Sequence, residues 1–198
     1  MRTLELSDII PVSEYEKQRE ARRRAAMELR ARRRVALGDL ISMHFENRAT
    51  LIYQTQEMMR AEGMTSVNAV LEELEVYNGL IPGPGELSAT LFIQLTSDAD
   101  LRKWLPIFTA LEGNLWLKIG SEKTAAQFEP GRTREDKTAS VHYIRFALTP
   151  AQQRALAHEP AEFVCTLKEY ATTAPVGDVL RRELLADLAD GGAGQAGS

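Results

Sequence analysis

The chain has 198 residues, with 24 Lys+Arg against 28 Asp+Glu for a net charge of -4, and it is 44% hydrophobic and 26% charged. A chain of this size can bury about 70% of its unfolded surface, so it needs no metal or disulfide to hold a core, and its composition excludes wholesale disorder. The single cysteine, Cys165, excludes an intramolecular disulfide, a CxxC redox pair and a cysteine-built iron–sulfur or zinc cage. No apolar run approaches the roughly 18 residues of a membrane helix, and the first residues lack the apolar stretch of a secretory signal. A reducing cytoplasm is the expected address. One domain over residues 1–190, with a disordered Gly-rich tail over 191–198, is the expected organisation.

Charge is concentrated near the start. Residues 17–34 hold nine Lys or Arg against Glu20 and Glu28, a local +7 that leaves -11 for the remainder. Ser13 followed by Glu16 matches a capping box, Pro11 lies just outside it, and Ala and Arg favour helix, so an Arg-rich N-terminal helix is predicted. Gly38 is its predicted stop. The apolar seam of this helix is thin, consisting of Tyr15, Ala25, Ala26, Leu29 and Ala36. On one reading it is a solvated helix, neutralised by the acidic excess elsewhere. On the other, Arg22, Arg23, Arg24, Arg32, Arg33 and Arg34 form a docking surface for an acidic partner. Nucleic acid ranks behind both, because the segment offers only Tyr15 for stacking and the whole chain is acidic.

Beyond Gly38 the residues alternate. Ile41, Met43 and Phe45 fall on one side of a predicted strand over 40–46, and Ser42, His44 and Glu46 on the other. From Arg48 the pattern turns helical through Leu51, Ile52, Thr55, Met58 and Met59 until Gly63. A second helix follows from Thr65 or Ser66 with Val67, Val70, Leu71 and Leu74. Two prolines and three glycines between Asn78 and Gly85 enforce turns. A strand is predicted over 86–95, a helix over 98–111, and a hairpin of 115–119 with 124–128 around Gly120-Ser121. A polar loop follows over 130–137, then a strand over 140–148, a helical turn at Thr149-Pro150, a last strand over 163–167 and a last helix over 176–188. Strands and helices mix without a βαβ rhythm. The fold predicted is therefore α+β, a single domain with one mostly antiparallel sheet of five or six strands and helices packed on one face.

Several motifs carry a resemblance. In this order, His44-Phe45-Glu46-Asn47-Arg48, Gln54-Thr55-Gln56-Glu57-Met58, Tyr77-Asn78, Ile81-Pro82-Gly83-Pro84-Gly85-Glu86-Leu87-Ser88-Ala89-Thr90-Leu91, Pro130-Gly131-Arg132 and Ser140-Val141-His142-Tyr143-Ile144-Arg145-Phe146 resemble the bacterial family named domain of unknown function 3501. The resemblance spans about residues 4–190. Relatives in that family tend to be encoded beside a rubrerythrin-like protein and an iron–sulfur oxidoreductase. What the resemblance implies, by association, is an accessory or interaction role in redox or peroxide metabolism.

Standard chemical motifs are missing. Gly83-Pro84-Gly85 is no phosphate cradle, since Pro84 lacks an N–H, and there is no GxxxxGK[ST], HExxH or GxSxG. Cys165, mid-strand between Val164 and Thr166, reads as an inert buried thiol. Glu57 and Glu73 sit on helices without a Glu-x-x-His, which rejects a ferritin-like centre. His158 reads as a surface residue in a turn. What remains is polar residues on strands. His44 and Glu46 share one face; Glu86, Ser88 and Thr90 share another; His142 alternates with Tyr143 and Arg145. If these faces meet, His44, Glu46, Arg48, Glu86, Ser88, His142 and Arg145 form a ligand-binding pocket. Within it His44, Glu86 and His142 would suit iron or manganese, while Arg48 and Arg145 would suit a small carboxylate or phosphate. A sheet face in water shows the same alternation, and a His beside a carboxylate is more often a satisfied structural pair. Convergence of His44, Glu86 and His142 separates a ligand-binding enzyme from an accessory protein.

Overall fold

Alternating segments pair into two antiparallel sheets in the computed structural model, which describes residues 1–131 and 138–193, without the side chains of 192 and 193. The first sheet contains β1 (Arg34–Leu37), β2 (Ile41–Glu46), β3 (Glu86–Ile93), β6 (Gln127–Phe128) and β7 (Val141–Ala147) in the order β1-β2-β3-β7-β6. The second contains β4 (Leu115–Ile119), β5 (Glu122–Ala125), β8 (Ala161–Cys165) and β9 (Thr172–Pro175) in the order β5-β4-β8-β9. Among the described residues six α-helices complete the single α+β domain: α1 (Val12–Arg32), α2 (Arg48–Ala61), α3 (Val67–Asn78), α4 (Asp98–Phe108), α5 (Pro150–Ala155) and α6 (Asp178–Ala193). No helix among the described residues is long and apolar enough to cross a membrane.

Two sheets replace the one expected. Residues 124–128 look like one strand in sequence, yet the chain changes sheet at Ala126, which is buried and donates its N–H to the Leu115 carbonyl at 2.9 Å. Ile41, Met43 and Phe45 of β2, Leu87, Ala89 and Leu91 of β3, and Ile144 and Phe146 of β7 then face Leu115, Leu117 and Phe163 of the second sheet. Phe163 is the hinge of this contact, with its ring 5.4 Å from Phe45 and 5.7 Å from Phe146. Leu180, Leu184 and Leu188 of α6 join the same core. A second cluster, built from Leu51, Met59, Val70, Leu74 and Tyr77 of α2 and α3, with Tyr143 of β7 against it, roofs the opposite face of the first sheet.

The N-terminal helix stops before Gly38. It ends at Arg32, and residues 34–37 become β1, because Gly38 at φ 66 turns the chain into β2. A side chain there would be strained and would meet the Tyr170 Oη at 2.6 Å. That hydroxyl donates to the Leu37 carbonyl at 2.7 Å and accepts from the Leu40 N–H at 2.8 Å, so the hairpin is tied to the segment leading into β9. The Gly-rich stretch also departs from expectation: α6 runs through Ala193 with Gly191 buried, and residues 194–198 lie outside the described residues.

At the junction of α1 and β1 sits Arg33, whose side chain is 1% exposed. Its Nε donates to the Phe45 carbonyl at 2.8 Å, its Nη1 to Glu183 at 3.0 Å, and its Nη2 to Asp187. Removing one partner of a buried ion pair strands the other charge at a cost of about 3–5 kcal/mol. Arg33→Met is therefore expected to lower unfolding stability by about that amount, measured by denaturant titration. A variant as stable as the parent would show that the cluster does not hold α1 in place.

Candidate functional site

The roofed face of the first sheet holds most of the polar residues singled out by sequence. β2 and β3 pair so that His44 faces Thr90 and Glu46 faces Ser88. Asn47 directly after β2 caps α2, accepting from the Thr50 N–H at 3.0 Å, so strand passes into helix without a loop and Thr50 and Gln54 fall over Glu46. The buried Glu46 carboxylate accepts from Thr50 Oγ1 at 2.5 Å, Thr90 Oγ1 at 2.7 Å and Gln54 Nε2 at 2.9 Å. Three neutral donors occupy most of its acceptor capacity. Sequence reasoning missed Thr50 and Gln54; their spacing of three and seven from the Asn47 cap was the available signal.

His44 is half-buried beside this carboxylate, its ring edge-on to Phe92 at 5.1 Å. Burial holds the imidazole below its ordinary value, the Arg34 and Arg30 charges push the same way, and Glu46 opposes them. Next to it the Tyr77 phenol is pushed up to about 12, by burial first and then by the charges of Glu73, Tyr143 and Glu46.

Glu86 and Arg145 meet, at 2.6 Å, but as a clasp on the turn-rich segment between α3 and β3. Arg145 also donates to the carbonyls of Ile81 at 3.2 Å and of Gly79, and Glu86 accepts from the Gly83 N–H at 2.9 Å. Ser88 faces Arg145 across the ladder, and the two line a cleft of about 250 Å³ with Gln127 and Tyr143. Most of the guanidinium's donors there are already engaged. Arg48, at the first turn of α2, pairs with Asp8 and fastens the N-terminal segment.

His142 goes elsewhere. Its position alternates onto the apolar face of the first sheet, opposite Leu91, where its Nε2 lies 2.9 Å from both Thr138 Oγ1 and the Ala139 carbonyl, and its ring meets Phe128 edge-on at 5.4 Å. His44, Glu86 and His142 therefore do not converge as the proposed iron or manganese set requires, because an odd register offset puts His142 through the sheet from the other two. Among the described residues no three His, Cys, Asp or Glu lie together as a metal site would need. Cys165 is buried, and burial raises its thiol above the usual range, which keeps it protonated.

The arginines of α1 divide into two groups. Arg19 holds Glu57 of α2 with two bonds of 2.9 Å, and Tyr15 donates to the same carboxylate at 2.6 Å. Hydrogen bonding from Arg19, then from Tyr15, keeps the Glu57 carboxyl below the usual range against the opposing effect of burial. Arg32 pairs with Glu183 at 2.8 Å. Arg33 is buried and cannot belong to a docking surface, contrary to expectation; its place at the helix end, against α6, is the reason. Arg22, Arg23 and Arg24 are exposed: Arg22 reaches neutral Gln18 at 3.2 Å, and Arg24 approaches Glu20 only to 4.0 Å with both side chains over 70% exposed. Arg34 is exposed on β1.

A family profile described as "Protein of unknown function (DUF3501)" matches residues 3–188. The chain belongs to the DUF3501 family. A crystal structure of a novel protein of unknown function from Burkholderia pseudomallei K96243 is similar at 26% identity and a TM-score of 0.88, covering 94% of this chain and 100% of that one. Among curated proteins no sequence matches. In this DUF3501 chain two outcomes test the roofed face. Glu46→Ala leaves Thr50, Thr90 and Gln54 without their buried acceptor and should cost about 1–3 kcal/mol in a denaturant titration. The depressed His44 value means that the unfolded chain binds its proton first, so stability falls as pH drops through 6.5 towards the folded value. His44→Gln should flatten the melting temperature across that window, and an unchanged slope would place the titration on another group.

Proposed function

We propose that this chain is an accessory protein that docks an acidic partner through the outward face of α1. One observation carries the reading: Arg19, Arg32 and the helix-end Arg33 are spent on Glu57, Glu183 and Asp187, yet Arg22, Arg23 and Arg24 are exposed, with a carboxylate approach among the described residues of only 4.0 Å, from Glu20 to Arg24. Three adjacent cations on a rigid helix favour encounter with a negative surface, and such contacts act chiefly on association rate and partner choice. The family resemblance supports the class of partner. Its association with a rubrerythrin-like protein and an iron–sulfur oxidoreductase points to a redox system, in which small, charge-steered and short-lived contacts are the usual form. The helix supplies the recognition in this reading, and the partner supplies any iron chemistry.

The test reverses the face while sparing the fold. Among the described residues, Arg22→Glu, Arg23→Glu and Arg24→Glu combined break only the exposed 4.0 Å pair of Arg24 with Glu20, so the melting temperature should hold. Binding to the purified rubrerythrin-like protein and to the oxidoreductase, measured by calorimetry, should weaken by at least about tenfold, and the parent complex should weaken as salt rises. Equal binding by the reversed and parent chains, or binding indifferent to salt, would overturn the proposal.

A further inference from the structure

We infer that the groove between α1 and α2 takes an amphipathic helix with acidic flanks, an inference that rests on the docking reading above and specifies its partner. α1 carries Ala25 and Ala26 where a helix packed on its neighbour would ordinarily carry larger side chains, and α2 meets it with Ala49. The result is an open channel of about 290 Å³, walled by Tyr15, Ala25, Leu29, Ile52 and Tyr53, with Arg22 on its rim. Its ends are held. Tyr15 is buried and bonded to Glu57, Arg19 clamps the same carboxylate, and Arg33 locks the far end of the helix. A rigid-body shift of α1 towards α2 would have to break these anchors.

Charge selects the occupant. Arg22 lines the channel, the Arg30 guanidinium lies 5.9 Å from the centre of the Tyr53 ring, and Arg30 Nε is buried without an acceptor among the described residues. The residues that α2 contributes, Ala49, Ile52, Tyr53 and Gln56, carry no charge. An apolar floor with Arg22 on its rim and Arg30 against its Tyr53 wall matches a helix whose apolar residues recur at i, i+3, i+4 and i+7 and whose flanks are acidic. From Tyr15 to Leu29 the channel runs about 21 Å at 1.5 Å per residue, roughly four turns of a partner helix.

Fluorescence anisotropy with the full chain tests this, using a labelled helical peptide with Leu at i, i+3, i+4 and i+7 and Glu elsewhere. Its Lys-for-Glu counterpart, polyglutamate of equal length and a single-stranded oligonucleotide are the comparison probes. The Glu peptide should bind saturably, and Ala25→Phe, which fills the channel from an exposed position, should weaken it about tenfold; Arg22→Glu should do the same. Ala49→Phe fills the channel from the opposite wall, and melting temperatures confirm that each variant is folded. Polyglutamate or the oligonucleotide binding as tightly as the Glu peptide, with Ala25→Phe and Ala49→Phe without effect, overturns the groove inference while leaving the docking face standing. No binding of the Glu peptide, while the triple charge reversal still releases the protein partners, has the same meaning. Groove-dependent peptide binding combined with partner binding indifferent to that reversal overturns the docking reading alone.

Discussion

A guanidinium buried away from water fixes how the N-terminal helix meets the rest of the molecule. Arg33 bonds at once to the backbone of β2, to Glu183 and to Asp187, so one side chain joins α1, the first sheet and α6. The Phe45 N–H returns a bond to the Arg33 carbonyl at 2.9 Å, which starts the β1–β2 ladder at the helix end. Desolvating three charges offsets much of their attraction, so such a cluster specifies an arrangement more than it adds stability. Here the arrangement is the direction of α1. Its Arg19 side is turned onto α2, and Arg22, Arg23 and Arg24 are turned outward.

Glu46 plays a comparable part on the roofed face. A carboxylate under two helices requires donors from each surrounding element, and it receives them from α2 and β3. All three donors are neutral side chains. The Glu46 charge opposes the burial and the arginines that depress His44, and it adds to the elevation of Tyr77. The strand that reads as the heart of a ligand pocket thus has its carboxylate hydrogen-bonded to α2 and β3, and those bonds help to position α2.

Legibility followed the range of the interaction involved. The alternation of Ile41, Met43 and Phe45, and the helical hairpin ending in the turns before Glu86, depend on local geometry and were readable. Face membership was readable too: His142 alternates with Tyr143 and Arg145 in the structure as in the sequence. Partnership was not. Periodicity states which residues share a face but not which strand lies alongside, so the exchange of sheets at Ala126 and the short β9 were hidden. The same limit hid the register that sends His142 through the sheet from His44. An arginine run carries no mark of which member will be swallowed: Arg32 and Arg33 both reach Glu183 of α6, and Arg33 alone also bonds the Phe45 carbonyl and Asp187, partners distant in sequence.

The thin seam of α1 then acquires a physical meaning. A 21-residue helix whose buried residues are Tyr15 and Ala26 gains little from hydrophobic burial along its length. It is held instead at its two ends, by Tyr15 and Arg19 on Glu57 and by Arg33 at the sheet. A helix fixed at both ends need not fill the space between, and the alanines leave that space open beside α2. A larger apolar residue at the exposed position 25 would bury more apolar area, at about 25 cal/mol per Å², and close the channel, whereas Ala26 is already buried. Stability would rise and the cationic, apolar surface would be lost. The anchoring of the ends is what lets the middle of the helix stay exposed beside the open channel.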